Sequence, residues 1–103
     1  MREIDVDQLD AVLRDGGVLI DVREAAEYAA GHVPGAVLIP MGQLTSRLDE
    51  LDRAAPVHLI CASGNRSGAM GDVLSARRFD AVNVVGGTTA WVRSGRPVEG
   101  GLS

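Results

Sequence analysis

VHLICASGNRSGAM, residues 57–70, decides the fold. Val57-His58-Leu59-Ile60 is a short apolar run of the kind that forms a strand buried on both faces, although periodicity alone does not separate it from a buried helix segment. The residues after it settle the choice. A small polar turn, Ala62 to Arg66, leads into Ser67 to Arg78, where Met70, Val73, Leu74 and Arg77 lie along a helix. The same alternation recurs outward in both directions. Val18-Leu19-Ile20, Val37-Leu38-Ile39 and Val82-Asn83-Val84-Val85 read as further strands. Asp7 reads as the cap of a helix carrying Leu9, Val12 and Leu13 and ending at Gly16-Gly17, and Gln43 to Leu51 as another, with Leu44, Leu48 and Leu51 at i, i+4 and i+7. Strand and helix in alternation predict an α/β domain on a mainly parallel sheet, whose ligands meet the carboxyl ends of the strands. Cys61 falls at such an end.

Composition bounds the functions open to the chain. With 103 residues, 46% hydrophobic and 23% charged, one domain with a sizeable core is expected over 1–103, its core spanning about 4–98 and a tail 99–103. The 13 glycines and four prolines are spread along the chain, and no repeat or low-complexity tract marks a second unit. The net charge is −4 and every basic residue is an arginine, which provides no basic stripe for nucleic acid. The acidic opening MREIDVDQLD lacks a signal-peptide core, and no run approaches the roughly 18 apolar residues of a membrane span. A cytoplasmic protein that binds neither membrane nor nucleic acid is the expectation. One cysteine and two separated histidines offer no metal motif, so neither a metal nor another cofactor is expected.

The question is then whether the lone cysteine, Cys61, is cargo in a core or the reactive atom of the protein. Free cysteines often pack as small hydrophobes, and βα turns are glycine- and serine-rich for geometric reasons alone. A thiol reacts as its thiolate, with an ordinary pKa of about 8.5, and the turn offers three ways to hold that anion. The positive end of a helix beginning near Ser67 points at it. Backbone N–H groups from Ala62 to Ser67, with Ser63 and Asn65 between, form a cradle if the turn curls, for which Gly64 supplies the freedom. Arg66 adds a permanent charge suited to bidentate binding of an anionic substrate.

LIDVREAAEYAAGHVPGAVLIP at 19–40, VHLICASGNRS at 57–67 and VVGGTTAWVRSGRPV at 84–98 together make the chain resemble a single-domain rhodanese, of the sulfurtransferase family. The resemblance runs through nearly the whole domain. It implies a five-stranded parallel sheet flanked by helices, a six-residue active-site loop from Cys61 to Arg66, and a catalytic Cys61 that accepts a sulfane sulfur as a persulfide. It further implies transfer from a small anionic donor such as thiosulfate to cyanide or a thiol. The position after the cysteine is often basic in thiosulfate-using members and is Ala62 here, which weakens the case for thiosulfate as donor. Cell-cycle dual-specificity phosphatases resemble the family, but they place a histidine before the cysteine and five residues between it and the arginine. Here Ile60 precedes Cys61 and only four residues intervene. The alternative function is a sulfur-relay or regulatory module that binds a protein partner and turns over little small molecule.

The other residues that stand out receive supporting roles. Asp21 and Arg23 read as a charge pair bracing loops near the site, as the family's DVR segment implies. His32 is expected to order the turn of residues 31–35 by hydrogen bonds, because an ionised thiol needs no base. His58 reads as a strand residue facing a helix or solvent. Gly86 and Gly87 let the backbone approach the active-site turn or make a tight strand-to-helix connection, and Trp91 is core. Arg77-Arg78 reads as a solvated helix end.

Overall fold

The computed structural model describes residues 1–102. Five parallel strands form one sheet in the order β1-β5-β4-β2-β3, with β1 Arg2–Ile4, β2 Val18–Asp21, β3 Val37–Leu38, β4 Val57–Ile60 and β5 Ala81–Val84. The helices are α1 Val6–Arg14, α2 Ala25–Ala30, α3 Met41–Leu44, α4 Asn65–Ala76 and α5 Gly87–Arg93, with a 3-10 turn at Leu48–Glu50. The expected α/β class with a five-stranded parallel sheet is what the structure has.

Alternation along the strands divides the apolar residues between two cores. Ile20, Leu59 and Ala81 pack with Leu44 of α3, Leu74 of α4 and Phe79. Leu19, Ile60 and Val84 face the other way, onto Leu9 of α1, Tyr28 of α2 and Trp91 of α5. Burial on both faces explains why β4 and β5 read as mainly apolar runs, each with a single polar residue, His58 and Asn83. Cys61 belongs to the first core and is 1% exposed.

Local chemistry moves several boundaries from their expected places. The α1 cap is Asp5, whose carboxylate accepts from the Gln8 N–H while the Gln8 side chain accepts from Asp5 N–H; Asp7 pairs instead with Arg96. Residues 43–51 are not one helix. The short α3 stops at Leu44, the Ser46 hydroxyl donates to the Gln43 carbonyl, and a 3-10 turn carries Leu48 onward, while Leu44, Leu48 and Leu51 still face the first core. α4 begins at Asn65, because Gly64 at φ +103° caps it, so Ser67 lies inside its first turn. His58 does not face solvent freely: it is buried on the side of β4 that Ile60 shares, with Nδ1 2.9 Å from the Val18 carbonyl. β1 is a short edge strand of mainly exposed residues, so it carries no apolar run by which to find it.

Candidate active site

The site is built where β4 stops and α4 starts. The Cys61 carbonyl accepts from the Thr88 N–H at 2.9 Å and the Thr88 hydroxyl at 3.1 Å, and the Ala62 carbonyl accepts from the Thr89 N–H at 3.0 Å. These bonds turn both carbonyls toward α5. In a planar peptide the N–H points opposite its carbonyl, so the next N–H groups turn toward the inside of the loop. The approach is close enough that a Cβ on Gly87, at φ +57°, would collide with both carbonyl oxygens. Gly86 and Gly87 thus serve the close approach and the tight connection together.

Inside the loop the Gly64 N–H donates to Cys61 Sγ at 3.1 Å, and the Ser67 hydroxyl lies 3.3 Å from the same sulfur. The N–H groups of Ser63 and Ser67 face it as well. Burial on its own pushes the Cys61 thiol upward, and it is the largest single influence. The Ser67 hydroxyl and the N–H groups of Ser67, Gly64 and Ser63 together outweigh it, so the thiol lies below its ordinary value. Among the described residues the hydrogen-bond donors to this sulfur are neutral, and Arg66 acts on it only through space.

Arg66 is engaged elsewhere. Its guanidinium donates to both oxygens of Glu27 in α2, at 2.7 and 2.9 Å, and each side chain is 36% exposed. The Arg66 hydrogen bonds hold the Glu27 carboxyl down to about 2, and Glu27 in turn raises Arg66. Glu27 also accepts from the Glu24 N–H. The charge expected to meet a donor anion is therefore already matched by a carboxylate. Arg23, Glu27 and Ala62 line, with Ala30, Val92 and Val98, a cleft of about 530 Å³ beside the loop. Asn65 is exposed.

Asp21 and Arg23 lie next to the loop but are turned into the protein. Both are buried; the Arg23 guanidinium donates to both Asp21 oxygens and to the Gly31 carbonyl. His32 is buried too, stacked 3.6 Å from the Tyr28 ring, with Nδ1 2.8 Å from the Tyr28 carbonyl and its backbone bridged to Glu99. Trp91 is buried and donates from Nε1 to the Pro97 carbonyl. Among the described residues no cluster of metal-ligating side chains occurs, and no helix is long and apolar enough to cross a membrane.

Three residues at the site have no role assigned from the sequence: Glu27, Thr88 and Asn83. Asn83 accepts from the Ser67 hydroxyl at 2.6 Å. Its only local signal is a polar residue within the apolar run of residues 82–85.

Comparison with known proteins gives this geometry its relatives. The family described as "Rhodanese-like domain" matches residues 5–94. A protein of Allochromatium vinosum named sulfurtransferase is 35% identical over 101 residues, covering 95% of this chain and 94% of that protein. YrkF of Bacillus subtilis, provisionally named a sulfur carrier protein, is 39% identical over 74 residues; the match takes in 71% of this chain but only 40% of YrkF. The crystal structure of a rhodanese-related protein from Thermoplasma volcanium superimposes over the full length of both chains with a TM-score of 0.90 at 32% identity. This chain is a member of the rhodanese-like domain family.

Proposed function

We propose that the protein is a sulfurtransferase that carries a sulfane sulfur on Cys61. One observation carries the reading: a buried sulfur at a strand end receives the Gly64 N–H at 3.1 Å and lies 3.3 Å from the Ser67 hydroxyl, an arrangement that stabilises an anion without neutralising it. In the first step the Cys61 thiolate attacks the outer sulfur of the donor. With thiosulfate, the donor's S–S bond breaks, sulfite leaves with the bonding pair, and Cys61 becomes a persulfide. In the second step cyanide or a thiolate attacks the terminal sulfur and the Cys61 thiolate departs, giving thiocyanate or an organic persulfide. No electrons are gained or lost overall. The loop N–H groups meet negative charge on the terminal sulfur in the loaded state.

Donor and acceptor are constrained by the charges around the loop. Ala62 brings no cation and Arg66 is matched by Glu27, so the turn itself offers a dianion such as thiosulfate no free positive charge, and the exposed Arg93 of α5, which lines the same cleft, is the guanidinium left to meet one. The matched charge of the turn favours a donor or acceptor of lower charge there, including a protein-borne sulfur, and with it the relay reading. Thiocyanate formation from thiosulfate and cyanide measures the small-molecule reaction. Turnover that Cys61→Ser abolishes while remaining folded supports the enzyme; sulfur loading without turnover on cyanide supports the relay; a Cys61→Ser variant with full turnover would overturn both.

A further inference from the structure

Asn83 is a polar residue on a core face. It follows Ala81 by two in β5, so it points with Ala81 toward α4, and it is 3% exposed. Its Nδ2 lies 3.2 Å from the Glu3 carboxylate of β1 and 3.2 Å from the Gly64 carbonyl. Both are acceptors, which fixes the nitrogen on that side and turns Oδ1 toward Ser67. Ser67 has one hydroxyl proton and two acceptors within reach, Asn83 Oδ1 at 2.6 Å and Cys61 Sγ at 3.3 Å. It cannot serve both.

We propose that Ser67 is a two-position switch set by Asn83: its hydroxyl donates to Cys61 Sγ when the sulfur is a thiolate and to Asn83 Oδ1 when the sulfur is uncharged. In the thiol, S–H donates to Ser67 Oγ and the hydroxyl donates onward to Asn83. When the thiol proton leaves for solvent, the hydroxyl reverses and Asn83 Oδ1, buried, loses its donor. Asn83 therefore competes with the sulfur for this proton and limits how far the thiolate is stabilised. A less stabilised thiolate is the stronger nucleophile. The inner sulfur of a persulfide carries no formal charge, so the hydroxyl returns to Asn83 on loading; this last part rests on the sulfurtransferase reading. Asn83 is a positioning residue, acting through Ser67.

A double-mutant cycle separates the switch from simple structural support. The pH dependence of alkylation of Cys61 by iodoacetamide gives the thiolate midpoint in the wild type, Ser67→Ala, Asn83→Leu and the double variant. Asn83→Leu also removes the Nδ2 bonds to the Gly64 carbonyl and the Glu3 carboxylate, and the Ser67→Ala background measures those contributions without the Ser67 hydroxyl. With Ser67 present, Asn83→Leu should lower the midpoint by about one pH unit relative to its effect in Ser67→Ala, a tenfold coupling. Equal shifts in both backgrounds, or coupling of the opposite sign, would overturn the proposal. If Asn83→Leu does not fold, Asn83→Ala is measured in the same cycle. Alkylation reads the thiolate whether or not sulfur is transferred, so failure here and failure of the sulfurtransferase reading are told apart.

Discussion

Two arginine–carboxylate pairs stand beside the Cys61 loop, alike in chemistry and different in setting. Arg23–Asp21 is sealed, with side chains 7% and 0% exposed, and Arg23 has a further bond to the Gly31 carbonyl. Arg66–Glu27 is open, each partner 36% exposed. The first is fixed by its surroundings, because separating its partners would strand a charge in the interior. The second is held mainly by its partner, and water can take the place of either side or another anion that of Glu27. The loop thus has a rigid wall at the end of β2 and an exchangeable ion pair between the first turns of α2 and α4.

Breaking the sealed pair should have the largest effect. Arg23→Met leaves Asp21 buried and uncompensated, and urea unfolding should show a loss of about 3–5 kcal/mol. A loss under about 1 kcal/mol, the ceiling for an exposed pair, would mean that the two pairs do not differ in kind. Breaking the open pair should act on substrate instead. Glu27→Gln frees Arg66, and the KM for thiosulfate should fall about tenfold with kcat little changed, as a guanidinium binds an oxyanion in bidentate fashion. If KM does not move, Arg66 does not meet the donor. The smallest effect is on stability against acid. Glu27 is lowered from 4.5 to about 2 in the folded protein, so its pair contributes fully above about pH 4.5 and is lost as the pH falls toward 2. Solvent exposure limits that contribution to about 1 kcal/mol or less. The stability difference between wild type and Glu27→Gln should accordingly shrink over that interval, and one that grew would reverse the assigned sign.

The contrast also explains which features are legible along the chain. β4, its turn and α4 are contiguous, and burial on both faces leaves Val57 to Ile60 a run with only His58 polar, so Cys61 and its candidate cradle are legible in the sequence. β1 cannot: an edge strand with exposed Arg2 and Glu3 carries no such run. The cap at Asp5 is legible in principle through Gln8 three residues on, whereas the break after Leu44 is hidden because its leucines keep helical spacing without a continuous helix. The pairing of Glu27 with Arg66 and the placing of Asn83 over Ser67 join residues 39 and 16 positions apart. Strand order brings them together, and nothing local announces it.

Intact-protein mass spectrometry of the purified chain, before and after a sulfane donor and again after cyanide, tests most directly whether Cys61 carries sulfur. Thiosulfate and an organic thiosulfonate serve as donors of different charge. The expected result is a gain of one sulfur mass at Cys61 that cyanide removes and that Cys61→Ser never acquires. No gain with either donor, or a gain that survives in Cys61→Ser, would contradict a persulfide on this cysteine.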